Sequence, residues 1–188
     1  MPPEDPSPPP GAPPPPFRVV LVCTGNICRS PMGDVVLRHL AAARRLDDGS
    51  TLADRLEVSS AGTGGWHAGE PMDPRARASL ERRGYSDHGH LARAFESAWI
   101  DRTDLVVCMD RGHRQTLVGL ARARAGDDRH DDRFVLLRSF DGHRGGDPDV
   151  PDPYYGDDQG FDACLALVEA GCAGLVEHLA TRLDGGGG

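Results

Sequence analysis

Residues 23–30, Cys-Thr-Gly-Asn-Ile-Cys-Arg-Ser, put a thiol, five spacers, a guanidinium and a hydroxyl into one short stretch. Those residue types at that spacing suit a loop that grips a phosphoryl group and attacks it. A thiol is a useful nucleophile only as thiolate, and helix N-termini and nearby cations lower a cysteine pKa to roughly 3.5–7.5. Cys23 would have the loop amides, a helix dipole and Arg29 around it. Arg29 can hold two phosphoryl oxygens in its planar fork, which a lysine cannot do. Gly25 permits close backbone approach, and Asn26 tolerates a left-handed conformation that turns loop amides inward. Thr24, Ile27, Cys28 and Ser30 complete the predicted phosphate-binding set.

A second group with chemistry lies far along the chain. Asp152 sits in Val150-Pro151-Asp152-Pro153-Tyr154-Tyr155-Gly156. The flanking prolines keep this stretch out of helix and restrict its motion. That suits a proton donor on a loop folded over a cleft, although a plain turn aspartate beside proline has the same look. Asp147, Asp149, Asp157 and Asp158 are nearby rivals without the proline-flanked setting. Tyr154 and Tyr155 would wall the entrance, where aromatic rings supply stacking area.

Such residues need elements to position them. The apolar run Phe17-Arg18-Val19-Val20-Leu21-Val22 reads as a buried strand. Ser30-Pro31 reads as a helix start, with Ser30 as N-cap and Pro31 at the first helical position. The loop would then join a strand's carboxyl end to a helix N-terminus, where free N–H groups and the dipole favour an anion. A turn with a packed thiol uses the same residues, and so does a zinc site on Cys23 and Cys28. The zinc reading lacks a matching CxxC or a paired histidine cluster.

Further strands are predicted over 56–59, 104–109 and 134–137, and helices over 31–45, 74–83, 113–124 and 161–183. Short buried strands separated by helices imply βαβ units and a parallel sheet. The fold class is therefore α/β: one domain, a four-stranded parallel sheet and helices on both faces. Ligands in such sheets bind outside the carboxyl ends of the strands. The Cys23 loop, Ser60, Asp110 and the residues near 140–155 would meet there, with Asp110 placed to orient Arg29 or to cap the site. Residues 1–16 are mostly proline and read as an extended, disordered tail, or as a docking segment for a proline-recognising partner. The domain would cover 17–183, and 184–188 would be a flexible glycine tail.

Composition narrows the classes. The chain has 188 residues and a formal net charge of −8, which fits one domain and speaks against nonspecific nucleic-acid binding. No basic signal-peptide start and no apolar run near the roughly 18 residues of a membrane span are evident. The expectation is a cytoplasmic protein without membrane partners, nonclassical secretion being compatible, and a monomer. Five cysteines, an odd number, argue against a disulfide framework. There is no lysine at all, so a Walker A loop and a Schiff base are both impossible. His39, His88, His113, His130, His143 and His178 form no ligand pattern; no metal and no cofactor are expected.

Several separated segments together resemble the low-molecular-weight protein tyrosine phosphatases, especially the bacterial, actinobacterial-like branch. They are Val22 to Pro31, Ser60-Ala61-Gly62-Thr63, His90-Leu91-Ala92-Arg93, Val107-Cys108-Met109-Asp110, and Asp152-Pro153-Tyr154-Tyr155-Gly156. The resemblance implies a phosphotyrosine protein phosphatase I-like fold and hydrolysis of phosphotyrosine-bearing proteins through a cysteinyl-phosphate on Cys23. Arg29 and the loop amides would bind the phosphoryl group. Asp152 would act as general acid and then as base. Inorganic phosphate or other oxyanions would bind as product or inhibitor. It also implies that Asn26, Ser30, Ser60 and His90 form a supporting network, His90 being equally readable as an ordinary structural histidine. Trp66 and His67 match a variable wall opposite the tyrosines, Trp66 being equally readable as packing. Cys28 would protect an oxidised Cys23 by a reversible disulfide, or be a packed thiol.

Two other readings use the same fold or site. An arsenate reductase needs a further pair of cysteines near 85–100, where this chain has none. Cys164 and Cys172 are about two helical turns apart, some 12 Å, too far to bond. A phosphotyrosine-binding module without turnover would not need both a nucleophile and an acid.

Overall fold

The computed structural model of the protein describes residues 14–142 and 145–184. Most of the proline-rich tail, His143 and Gly185–Gly188 lie outside the described residues. The first strand, β1 (Phe17–Cys23), is followed by α1 (Arg29–Ala43), β2 (Leu56–Gly62) and α2 (Pro74–Arg82). Then come β3 (Leu105–Cys108), α3 (Arg111–Ala125), β4 (Phe134–Leu136) and α4 (Asp158–Asp184). Short 3-10 turns lie at Leu52–Arg55, Ser97–Arg102, Asp131–Arg133 and Leu137–Phe140. The sheet is parallel throughout, in the order β2-β1-β3-β4.

β1 is central, and its continuous apolar run follows from burial on both faces. Val19 and Leu21 enter a core built with α1, α2 and α4, including Met32, Leu37, Leu80, Phe161 and Leu165. Val20 and Val22 enter a second core with Trp99, Ile100, Leu117, Ala121 and Phe134. Register brings the carboxyl ends together: Cys23 pairs with Gly62, and Val22 with Cys108.

Three expectations are corrected. Ser30 does not cap α1: the helix begins at Arg29 after Cys28, and no side chain caps it. The Ser30 hydroxyl is completely buried and turned into the catalytic loop instead. β2 runs on to Gly62 rather than stopping at residue 59, because Ser60-Ala61-Gly62 continues the pairing with β1. The third concerns apolar length. α4 begins at Asp158, and its best window has a mean hydropathy of 1.5, enough by length and composition to cross a membrane. Alanine and cysteine raise that mean without making the unbroken run sought in the sequence. Half of that window is buried, and along the helix Phe161, Leu165, Val168, Leu175 and Leu179 are fully inside, so α4 is a core helix of this fold.

Candidate active site

The loop from Cys23 to Arg29 is shaped by where its carbonyls go. Those of Cys23 and Thr24 accept from the N–H groups of Thr63 and Gly64, and that of Ile27 from Asp73 N–H. The Cys28 carbonyl accepts from Met32 N–H, and the Asn26 carbonyl from His90 Nε2 at 2.7 Å. A peptide is planar, with N–H and C=O on opposite edges. Carbonyls turned outward therefore leave the amides of Thr24, Gly25, Ile27, Cys28 and Arg29 facing the hollow of the loop. Gly62 lets β2 come this close, because a Cβ there would lie 2.7 Å from the Thr24 carbonyl oxygen.

Asn26 is the one non-glycine among the described residues with positive φ, 58°. Such a state costs of order 1–3 kcal/mol and needs support. Its amide nitrogen donates to Ser30 Oγ at 2.9 Å and Ser60 Oγ at 3.0 Å, and its amide oxygen accepts from Arg93 N–H at 2.9 Å. With His90 on its carbonyl, the four residues expected to form a network do meet, and Arg93 joins them.

Cys23 lies at the pocket floor, 3% exposed, with its Sγ 3.0 Å from Ser30 Oγ. The Ser30 hydroxyl also reaches the Ala61 carbonyl at 3.2 Å and accepts from Asn26, so its single proton is divided between that carbonyl and the sulfur. Cys28 is buried, and burial, with Asp73 and Cys23 adding, pushes its thiol well above the ordinary value. Burial likewise pushes Cys108 and Cys164 up to about 12. All five cysteines are free.

Arg29 is nearly fully buried. Its Nη1 donates to Asp110 Oδ2 at 3.0 Å and the Val150 carbonyl at 3.1 Å, and its Nη2 to Thr24 Oγ1 at 3.2 Å and Asp152 Oδ2 at 3.0 Å. Asp110 thus meets Arg29, and its Oδ1 also caps α3, accepting from His113 N–H at 2.8 Å. Asp152 is the more exposed of the two carboxylates, and its Oδ1 accepts from Tyr154 N–H. Three of its four rivals are engaged elsewhere, Asp147 and Asp149 with Arg111 and Asp157 with Gly160 N–H, and the fourth, Asp158, is the first residue of α4.

The pocket over the loop has a volume of about 220 Å³ and is lined by Cys23, Arg29, Ile27, Asp152 and the aromatic rim. The rim is formed by Trp66, His67, Tyr154 and Tyr155, with the His67 and Tyr154 ring centres 6.3 Å apart. Trp66 is 74% and Tyr155 93% exposed, so neither ring is core packing.

A sequence model of the low molecular weight phosphotyrosine protein phosphatases matches residues 18–184. The chain belongs to that family. A low molecular weight protein-tyrosine-phosphatase of Streptomyces coelicolor is 46% identical over 170 residues, 90% of this chain and 97% of the relative. The crystal structure of YfkJ from Bacillus subtilis superposes with a TM-score of 0.77 at 32% identity, covering 89% of this chain and 96% of that one. Wzb of Vibrio vulnificus, in complex with benzylphosphonate, gives 0.69 at 25% identity, covering 86% and 98%.

Within this family site, sequence reading missed three contributors. His113 is 5% exposed, with Nε2 2.9 Å from Thr24 Oγ1. Burial, aided by Arg29 and opposed by Asp110, pushes its pKa down to about 4, so the ring is neutral at pH 7. Arg75, at the start of α2, reaches the Asp152 loop, and Asp73, just before it, reaches the Ile27 carbonyl of the Cys23 loop. Asp73-Pro74 is a legible helix start, with Asp73 accepting from Arg75 N–H; nothing local shows that it lies beside the pocket.

Proposed function

We propose that the chain is a protein-tyrosine phosphatase working through a cysteinyl-phosphate. One observation carries this reading: Cys23 Sγ, the Arg29 fork and the Asp152 carboxyl share one pocket beneath an aromatic rim. The phosphoryl group enters the hollow lined by the loop amides and takes Arg29 Nη2 from Asp152. Asp152, released from Arg29, then faces the aryl oxygen as the proton donor. The Cys23 thiolate attacks phosphorus, the bond to the aryl oxygen breaks, and Asp152 protonates that oxygen. Water next attacks the cysteinyl-phosphate, giving its proton to the Asp152 carboxylate. The sulfur leaves as thiolate with Ser30 donating to it, and inorganic phosphate is released. Loop amides and Arg29 stabilise the charge on the equatorial oxygens in both steps.

The slot favours an aryl ester. Ile27 and the rings of Trp66, Tyr154 and Tyr155 offer flat apolar surface to a phenyl ring. A phosphoserine oxygen sits too near its own backbone to pass the rim. Hydrolysis of p-nitrophenyl phosphate across pH, wild type beside Cys23→Ser, tests the reading, with phosphotyrosine and phosphoserine peptides as competitors. A bell-shaped, Cys23-dependent profile with phosphotyrosine preference is expected. Turnover by Cys23→Ser, or none by the fully reduced wild type, would overturn it.

A further inference from the structure

The loop bearing Asp152 is fastened at two points. Its first half is tied to the sheet, where Val150 N–H donates to the Met109 carbonyl at 2.8 Å and Arg29 reaches the Val150 carbonyl. Beyond Asp152 the prolines leave little backbone to bond with, since neither Pro151 nor Pro153 has an N–H. Among the described residues, the only hydrogen bonds that reach the 152–156 backbone from another element come from Arg75. Its Nη2 donates to the Tyr154 carbonyl and its Nη1 to the Gly156 carbonyl, both at 3.0 Å. The same guanidinium also lies 4.5 Å over the Phe161 ring and 5.8 Å from the Tyr154 ring centre.

The other side of this guanidinium faces Asp73. Arg75 Nε donates to Asp73 Oδ1 at 3.1 Å and Nη2 to Oδ2 at 2.9 Å. Asp73 is buried, and its own N–H donates to the Ile27 carbonyl of the catalytic loop at 2.8 Å. Burial raises the Asp73 pKa, but the Arg75 side-chain and backbone bonds outweigh it and hold the group below the usual carboxylate range. A continuous chain of bonds therefore runs from the nucleophile's loop, through Asp73 and Arg75, to the loop of the acid.

We propose that Arg75 is a positioning residue for Asp152: through Asp73 it sets the distance between the acid's loop and the catalytic loop. The inference rests on the phosphatase reading above. Arginine is the residue for this task because its rigid fork serves two carbonyls and a carboxylate at once, where lysine presents one point charge. Prolines stiffen the loop but do not fix its height over the pocket; the guanidinium does. Its loss leaves nucleophile, Arg29 and amides in place and lets Asp152 drift from the leaving oxygen, and displacement by about an ångström is costly for a group that must transfer a proton.

The test is kcat/KM for aryl phosphates of graded leaving group, from phenyl phosphate to dinitrophenyl phosphate, for wild type, Arg75→Met, Asp152→Ala and the double variant. General acid catalysis contributes roughly 10²–10⁴-fold, and most where the leaving group is poor. Arg75→Met should lose roughly tenfold or more on phenyl phosphate and little on dinitrophenyl phosphate, with the inhibition constant of inorganic phosphate within about threefold. The double variant should be no worse than Asp152→Ala, because both changes remove one function. Arg75→Lys, which keeps one donor and the charge, should fall between and covers the case in which the methionine variant does not fold. An equal loss on every ester, or additive losses in the double variant, would show a merely structural residue and overturn the proposal. If Asp152→Ala itself fails to steepen the leaving-group dependence, the acid assignment falls rather than the strap.

Discussion

Arg29 gives its guanidinium to four oxygens, and the one on the Asp152 carboxylate is the one that the proposed phosphoryl group would replace. The others preset the fork. Thr24 matters most among them because its hydroxyl has two tasks. Its oxygen accepts from Arg29, and it shares a second hydrogen bond, at 2.9 Å, with Nε2 of the buried His113. The other ring nitrogen, Nδ1, lies 3.0 Å from Asp110 Oδ1 without the alignment of a hydrogen bond. Thr24→Val keeps the shape and deletes the hydroxyl. It leaves Nε2 of a buried histidine unsatisfied, a penalty of about 1–3 kcal/mol, and frees one arm of Arg29. The expected result is a lower melting temperature together with a several-fold weaker inhibition constant for inorganic phosphate. If phosphate inhibition is unchanged, Thr24 does not preset the fork. This bond could not be read from the chain. Asp110 and His113 are three residues apart and form a visible helix cap, whereas Thr24 and His113 are 89 apart and meet only because β1 and β3 are neighbours.

Among the elements, β1 and its loop were the most legible, because the short, mostly β-branched run Val19-Val20-Leu21-Val22, ended by the Thr24-Gly25-Asn26 turn, reads as a strand buried on both faces. The Asp152 loop was legible from its prolines. α2 was legible as a helix but not as a strap, since its contacts with residues 154 and 156 depend on how the elements after β3 return. The apolar length of α4 is hard to read because small residues of two kinds are mixed in it. Alanine and cysteine raise hydropathy, and glycine permits close packing. Gly174 shows the second: a Cβ there would sit 1.8 Å from the Phe140 carbonyl oxygen, part of the 3-10 turn after β4. Gly174→Ala must push α4 off that turn, an overpacking cost of about 1–3 kcal/mol, or several degrees of melting temperature at roughly 2–4 °C per kcal/mol. Gly119→Ala on α3 has open space around the added methyl and should raise stability by up to about 1 kcal/mol through helix propensity. Thermal melts of the two variants check the pair. Destabilisation of similar size in both would mean that α4 does not pack on the turn as described.

For the molecule as a whole, His113 ties the stability of the fold to pH. Its folded pKa, near 4, lies below the ordinary value of 6.5, so the unfolded chain binds the extra proton first. Stability from this residue is therefore complete above pH 6.5 and is lost as pH falls toward 4. With 1.36 kcal/mol per pKa unit, the loss between pH 7.5 and pH 5 is about 2 kcal/mol. Carboxylates whose pKa is lowered, such as Asp73 and Asp149, act mainly below their ordinary value near 3.8 and cancel when two variants are compared. His113→Gln keeps an acceptor in reach of Thr24 and removes the titration. At pH 7.5 the variant should be the less stable, having lost the fitted ring. As pH drops to 5 the wild type should weaken faster, so that the gap narrows by about 2 kcal/mol in urea denaturation. Parallel stability curves from pH 7.5 to 5 would mean that His113 takes up its proton in the folded protein as readily as in the unfolded chain. The buried neutral ring would then not be what holds the Thr24 hydroxyl beside Arg29.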